Sequence, residues 1–180
     1  MNTSPRTFRY LPVDIYTSGY RVVGKIMAAN SGIIGVMNDP THSALEVYDA
    51  RLAKIHMPTK LVDHFDQVRM VKKRIVVLCL SRREDLGPAA LVRAGYGTIN
   101  TYPTRVTTQN YETEGSLELP GRFDFQGLMF DGTREFIPMF DAVLTAILIP
   151  NLRVESPALL VNRSHVDILA LLTQRAKDEK

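Results

Sequence analysis

The chain has 180 residues and a formal net charge of +3, with hydrophobic residues at 45% and charged residues at 23%. This is the balance of an ordinary soluble globular protein, and no apolar run approaches the ~20 residues of a membrane-spanning helix. One cysteine excludes an internal disulfide framework, and the opening MNTSPRTFRYLP lacks a signal-peptide core, so a cytoplasmic location is expected.

Residues through about Tyr10 read as a loose arm or an added strand. Val13 and Ile15 then alternate with Asp14 and Tyr16, the period-two pattern of a half-buried strand. Ser18-Gly19 supplies a turn, and Tyr20, Val22, Gly24 and Ile26 return on one face. The apolar stretch 32–38 (GIIGVMN) leaves strand and helical turn open. In 45–55 the alternation breaks at Asp49-Ala50, which predicts a bulge or sharp bend. Segments 68–71 and 74–80 (RIVVLCL) close a first unit. The stretch 83–102, with Gly87, Pro88, Gly95 and Gly97, reads as a linker carrying a helical turn at 89–93.

The pattern then recurs. Residues 12–26 read onto 103–117 at an offset of 91, pairing Pro12/Pro103, Thr17/Thr108, Tyr20/Tyr111 and Gly24/Gly115. After a one-residue slip, the register continues through Gly35/Gly127, Met37/Met129, Asp39/Asp131, Asp49/Asp141 and Ala50/Ala142. Tyr111, Thr113, Gly115, Leu117 and Leu119 alternate with Glu112, Glu114, Ser116 and Glu118, and Gln109-Asn110 takes the turn. The stretch 123–130 (FDFQGLMF) leaves strand and short helix open in the same way, with the helix favoured. A strand over 136–149 breaks at Asp141-Ala142, and Pro138 marks it as bulged or exposed on one edge. Segments 158–161 and 165–172 close the second unit, and 173–180 reads as a frayed helix.

A repeat at this spacing predicts two tandem units at 1–85 and 102–180, joined by a linker at 86–101. Five short strands per unit indicate a mainly β fold of small barrels rather than an α/β enzyme. Residues 1–91 hold 13 Lys/Arg against 8 Asp/Glu, and residues 92–180 hold 9 against 11. Opposite signs favour docking of one half on the other, within a molecule or between molecules.

The second-strand Tyr20-x-x-x-Gly24 and Tyr111-x-x-x-Gly115 resemble the Sm-like family, whose five-stranded barrels often assemble into rings. EVYDA at 46–50 and MFDA at 139–142 are similar to the Asp-Ala ending the first Sm motif. VKKRIVVL at 71–78 and VNRSHVDIL at 161–169 are similar to the second motif. The resemblance implies two Sm/SH3-like small barrels, each with one short helix. It also implies edge-to-edge pairing within the chain and a ring of three chains. Ala44 and Phe136 stand where RNA-binding members carry Asn, and the Arg-Gly of the second motif is missing. The RNA pocket therefore does not carry over. The same Tyr-x-x-x-Gly, Asp-Ala and Val-Asn-Arg-x-His features are similar to those of uncharacterised bacterial domains.

Arg69, Lys72, Lys73, Arg74, Arg82 and Arg83 form the strongest candidate site in the sequence, a basic edge suited to nucleic-acid phosphates. The competing reading is protection of a strand edge from aggregation. Tyr16, Tyr20, Tyr96 and Tyr102 are available for base stacking but do not interleave with it. Asp49 and Asp141 read as bend aspartates accepting backbone N–H bonds. His64/Asp66 and His165/Asp167 lie two apart, placing each pair on one strand face. His42 and His56 complete a set without metal-ligand spacing. Cys79, inside RIVVLCL, reads as a small buried hydrophobe. No catalytic centre, metal or cofactor is expected. The reading is a self-associating assembly module, with nucleic-acid binding through the basic first unit as the alternative.

Overall fold

The computed structural model describes residues 7–88, 90, 98–149 and 151–172. The chain is mainly β. From the first half come β1 (Arg9–Thr17), β2 (Tyr20–Ala28), β3 (Ala44–Lys54), β4 (Asp63–Val71) and β5 (Ile75–Leu80). From the second come β6 (Ile99–Thr108), β7 (Tyr111–Pro120), β8 (Phe136–Ala146), β9 (Arg153–Asn162) and β10 (Val166–Leu171). The helix α1 (Gly32–Met37) separates β2 from β3, and a π-helical turn at Gly127–Asp131 stands between β7 and β8. Short 3-10 turns at Lys72–Arg74 and Arg163–His165 lead into β5 and β10.

The strands form one open antiparallel sheet in the order β10-β6-β7-β8-β9-β5-β1-β2-β3-β4. Each half thus contributes five strands in the same internal order. Their pairings also correspond. Val13 faces Leu80 as Thr104 faces Leu171, and Ala44 faces Val71 as Phe136 faces Asn162. The two halves meet where β5 pairs with β9, so the sheet continues from one to the other.

The segment at 32–38 resolves as helix because Ile33, Ile34 and Met37 fall on one helical face and are buried together. The helical expectation for 123–130 holds. The strand β6 begins at Ile99, inside the predicted linker, because its first residues pair with the end of β7, Ile99 with Pro120. A 3-10 turn forms earlier, at Arg83–Leu86. Of the predicted turn at 89–93 only Ala90 is described, and the predicted tail at 173–180 lies outside the described residues. Pro138 pairs with Leu160 of β9, while the β7 pairing stops at Phe140. The missing N–H therefore falls on a local edge.

The break at Asp-Ala is a β-bulge in both halves. Val23 faces Arg51 and Lys25 faces Tyr48, so Asp49 and Ala50 together oppose Gly24. Asp141 and Ala142 oppose Gly115 in the same way. The bulge places Asp49 at φ 50° and Asp141 at φ 46°, the left-handed region that Asp tolerates better than most residues. A Cβ on Gly24 would lie 2.6 Å from a Val47 methyl and 2.9 Å from the Tyr48 carbonyl. On Gly115 it would lie 2.7 Å from Ala142 Cβ. The paired Tyr-x-x-x-Gly and Asp-Ala signatures are thus two sides of one bulge.

Gly24→Ala and Gly115→Ala should each cost roughly 1–3 kcal/mol through overpacking. Gly19→Ala, where an added Cβ meets nothing within 4 Å, should leave stability nearly unchanged. Thermal denaturation of the three variants checks this, and equal melting temperatures would remove the close-approach explanation.

Candidate functional site

The β5–β9 junction pairs Val77 with Val161, Leu78 with Leu160, Cys79 with Leu159 and Leu80 with Ala158. β5 is buried on both faces, and so is the paired segment 158–161 of β9. Ile75, Leu78 and Leu80 join Ala158 and Leu160 in a core that also holds β1, β2, β3 and α1 residues. Val76, Val77 and Cys79 join Leu159 and Val161 in the core of the second half. Each half therefore completes the other's interior.

Polar groups at the junction are satisfied by specific side chains. Asn162 donates to the Ile75 carbonyl at 2.9 Å and accepts from Ser164 N–H at 3.0 Å. Ser156 Oγ accepts from Leu80 N–H at 3.3 Å and lies 2.9 Å from the Leu80 carbonyl. The Asn38 side chain accepts from Phe136 N–H at 2.8 Å and donates to the Phe136 carbonyl at 3.2 Å. Tyr111 donates its hydroxyl to the Thr17 carbonyl at 2.6 Å, with its ring edge-on to Tyr16. Burial, helped by the Asp14 charge, raises the pKa of both tyrosines and keeps their hydroxyls protonated. His165 reaches the Lys73 carbonyl at 2.8 Å. An ion pair from Arg83 to Glu118 spans the halves, and Arg83 also lies over the Phe140 ring at 3.9 Å. Half-to-half docking is carried mainly by backbone pairing and apolar burial, with the opposite charge signs a minor contributor.

At the two ends of the sheet, β4 and β10 each pair on one side among the described residues. Both edges carry exposed apolar side chains. Phe65 and Val71 lie on β4, with Leu61 and Val62 just before it; Ile168 and Leu171 lie on β10, followed by Leu172. Bare apolar edges of this kind are templates for a further strand.

The six basic residues do not make one patch. Arg69 pairs with Glu46, Arg82 with Asp85, and Arg83 with Glu118. Lys72 is buried, and its ammonium donates to the Val36 carbonyl at 2.6 Å and the Asp39 carbonyl at 3.2 Å. Desolvation lowers its pKa. Arg163, its counterpart in the second half, donates to the Gly132 carbonyl at 2.6 Å. Both cations cap carbonyls from the segment between the second and third strands of their half. Lys73 and Arg74 are exposed without an ion pair among the described residues, but the six-residue strand β5 separates them from Arg82 and Arg83 by ~20 Å.

Other candidate groups are also engaged differently from the sequence reading. Asp49 accepts from the side chains of His64 at 2.8 Å and Lys25 at 3.3 Å, in place of backbone N–H groups. Those bonds lower its pKa, the His64 contact foremost. His64 therefore meets Asp49 on the adjacent strand and not Asp66, and His165 meets a backbone carbonyl and not Asp167. Asp39 accepts from Thr41 and His42, which holds its carboxyl well below the usual range. Of the tyrosines offered for stacking, Tyr16 is buried, Tyr102 packs on Phe123, Tyr20 is exposed and Tyr96 lies outside the described residues. Burial raises the Cys79 pKa. Among the described residues no three His, Cys, Asp or Glu side chains gather in a metal-binding arrangement.

A hollow of about 610 Å³ opens beside the start of β3, walled by Phe8, Met27, Val36, Ala44 and Tyr48, with Lys72 and Arg69 at its margin. On the second half the exposed Phe130 packs edge-on against Phe125 at 5.9 Å. Sequence reasoning missed Asn38, Ser156, Asn162 and Phe130. The signal available was mismatch within the repeat, such as Asn38 against Phe130. Compared with known proteins, the chain matches no family model, no curated protein and no solved structure.

Lys72→Ala should cost about 1.5–3 kcal/mol, the range for hydrogen bonds to a charged group, while Lys73→Ala should stay within about 0.5 kcal/mol of the parent. Denaturant midpoints distinguish the two. The Cys79 thiol should resist a water-soluble thiol reagent at mildly alkaline pH in the native protein and react fully once unfolded; rapid native labelling would contradict its burial.

Proposed function

We propose that the chain is a non-catalytic assembly module of two tandem Sm-like small barrels that self-associates through its free sheet edges. The single observation that carries this reading is the asymmetry of the strand order. The halves are joined at β5 and β9, which leaves the corresponding strands of the opposite halves, β10 and β4, unpaired on their outer sides among the described residues. Exposed apolar side chains on both edges support a covering strand as their native environment. A contact of this kind is head-to-tail, so it either closes into a ring or propagates. Three chains, contributing six similar units, form the ring in this proposal.

The non-catalytic reading is supported by the use of the reactive groups. Cys79 is enclosed, Lys72 caps carbonyls, and the Asp49–His64–Lys25 contact is an exposed ion-pair contact at the bulge, about half open to solvent. Nucleic-acid binding is less favoured, because three of the six basic residues are paired and one is buried.

Light scattering across a wide concentration range should give a mass above the 20.2 kDa of one chain. Ile168→Lys should weaken the association by about tenfold or more, equivalent to about 1.4 kcal/mol. A monomeric mass at every concentration would overturn the proposal. Tight, salt-sensitive binding of single-stranded RNA, lost when Lys73 and Arg74 are neutralised, would replace it with the nucleic-acid reading.

A further inference from the structure

We infer that one copy receives Phe130 of the next in the hollow beside Ala44, as part of a junction that repeats the internal one. This rests on the proposed self-association and specifies its contacts. Several contacts across the β5–β9 junction have counterpart pairs, 91 or 92 positions away, in which the two roles fall at the free edges. Val77 opposite Val161 becomes Ile168 of one copy opposite Met70 of another. Ser156 against Leu80 becomes Phe65 against Leu171, an apolar contact between two side chains that are now exposed. His165 on the Lys73 carbonyl becomes Arg74 on the Ser164 carbonyl, and Arg74 is exposed without an ion pair among the described residues.

Two counterparts are more telling, because each links a group in need of a partner to a group that would supply it. Tyr111 is fully buried by its contact with Tyr16 and the Thr17 carbonyl, whereas its counterpart Tyr20 is 46% exposed. The counterparts of Tyr16 and Thr17 are Thr107 and Thr108. Among the described residues, the Thr107 hydroxyl is the buried side-chain oxygen without a hydrogen-bond partner. Tyr20 of the copy that receives Phe130 arrives at that hydroxyl and at the Thr108 carbonyl. In the same way, Asn38 reaching Phe136 becomes Phe130 reaching Ala44. Phe130 is 63% exposed, and Ala44 sits on the wall of a hollow where Phe8, Met27 and Val36 lie beside polar residues such as His42 and Glu46. Where the internal junction uses an amide bonded to backbone, the external one places an aromatic ring against the Phe8, Met27 and Val36 side of the hollow. The occupant is a second copy of this chain, since the fit follows from the register of the first junction. The first half also carries the positive charge balance and the second the negative, which aids the encounter.

The test uses Phe130→Cys and Ala44→Cys in separate full-length chains, mixed and oxidised. A disulfide-linked dimer should form in the mixture and in neither variant alone. Phe130→Asp should weaken self-association by tenfold or more with the fold intact by circular dichroism, and Leu148→Asp, exposed elsewhere, should not. Association that persists without the 130–44 crosslink and is indifferent to Phe130→Asp overturns this inference while leaving edge association standing. A crosslinked dimer from Phe130→Cys alone also overturns it, because that contact is symmetric. A strictly monomeric parent chain overturns both proposals.

Discussion

Backbone pairing between β5 and β9 is the constraint on which the rest of this structure depends. A strand inside a sheet must have its N–H and C=O groups met on both sides, or leave them to water. Here β1 meets one side of β5, and the only neighbour on the other side comes from the opposite half. Once that pairing forms, both faces of β5 and β9 are covered by side chains from both halves. This is why IVVLCL and ALLV are unbroken apolar runs, while the corresponding VDILAL and QVRM sit on strands that remain partly exposed. The polar residues within the junction, Asn162 and Ser156, are there because each serves backbone groups at the ends of the paired segment.

The bulge plays a different part. Two residues against one glycine sharpen the local twist and bend of each half, and the two halves spend the same residue types on it. Beyond the bulge they diverge. The cation that caps the loop carbonyls is lysine in one half and arginine in the other. The segment between the second and third strands is a short α-helix in one and a π-helical turn in the other. The common residues therefore mark what the strand arrangement requires, and the divergent ones mark where each half faces different surroundings.

Periodicity exposed most of the fold, because β1, β2, β7 and the bulged β3 and β8 each have one face in a core and one nearer water. It failed where that condition fails. Tyr16 falls on the polar face of β1 by alternation, yet it is buried because the second half covers that face. The six residues of α1 were too few to separate a helical period from a strand period; burial of Ile33, Ile34 and Met37 on one side decides it. Side-chain partners were less legible still. His64 and Asp49 are fifteen residues apart and meet only through the β3–β4 pairing, and the basic residues are sequence neighbours that β5 carries to opposite ends. Spacing along one strand is a poor guide to contacts made across strands.

Identical residues in unlike surroundings carry the most information about how the molecule is used. Tyr20 and Tyr111 open the same strand of their halves and precede the same bulge glycine. One is enclosed by a ring and a carbonyl, and the other stands in solvent. A tyrosine required only by its own half would have the same environment in both. The difference arises because the junction that covers Tyr111 exists once within the chain, while the strand order offers it twice. Local folding explains the glycine that follows each tyrosine, but it gives no reason for an aromatic ring at Tyr20. In the proposed self-association that reason is the second junction, which brings Tyr20 against Thr107 and Thr108 of another copy.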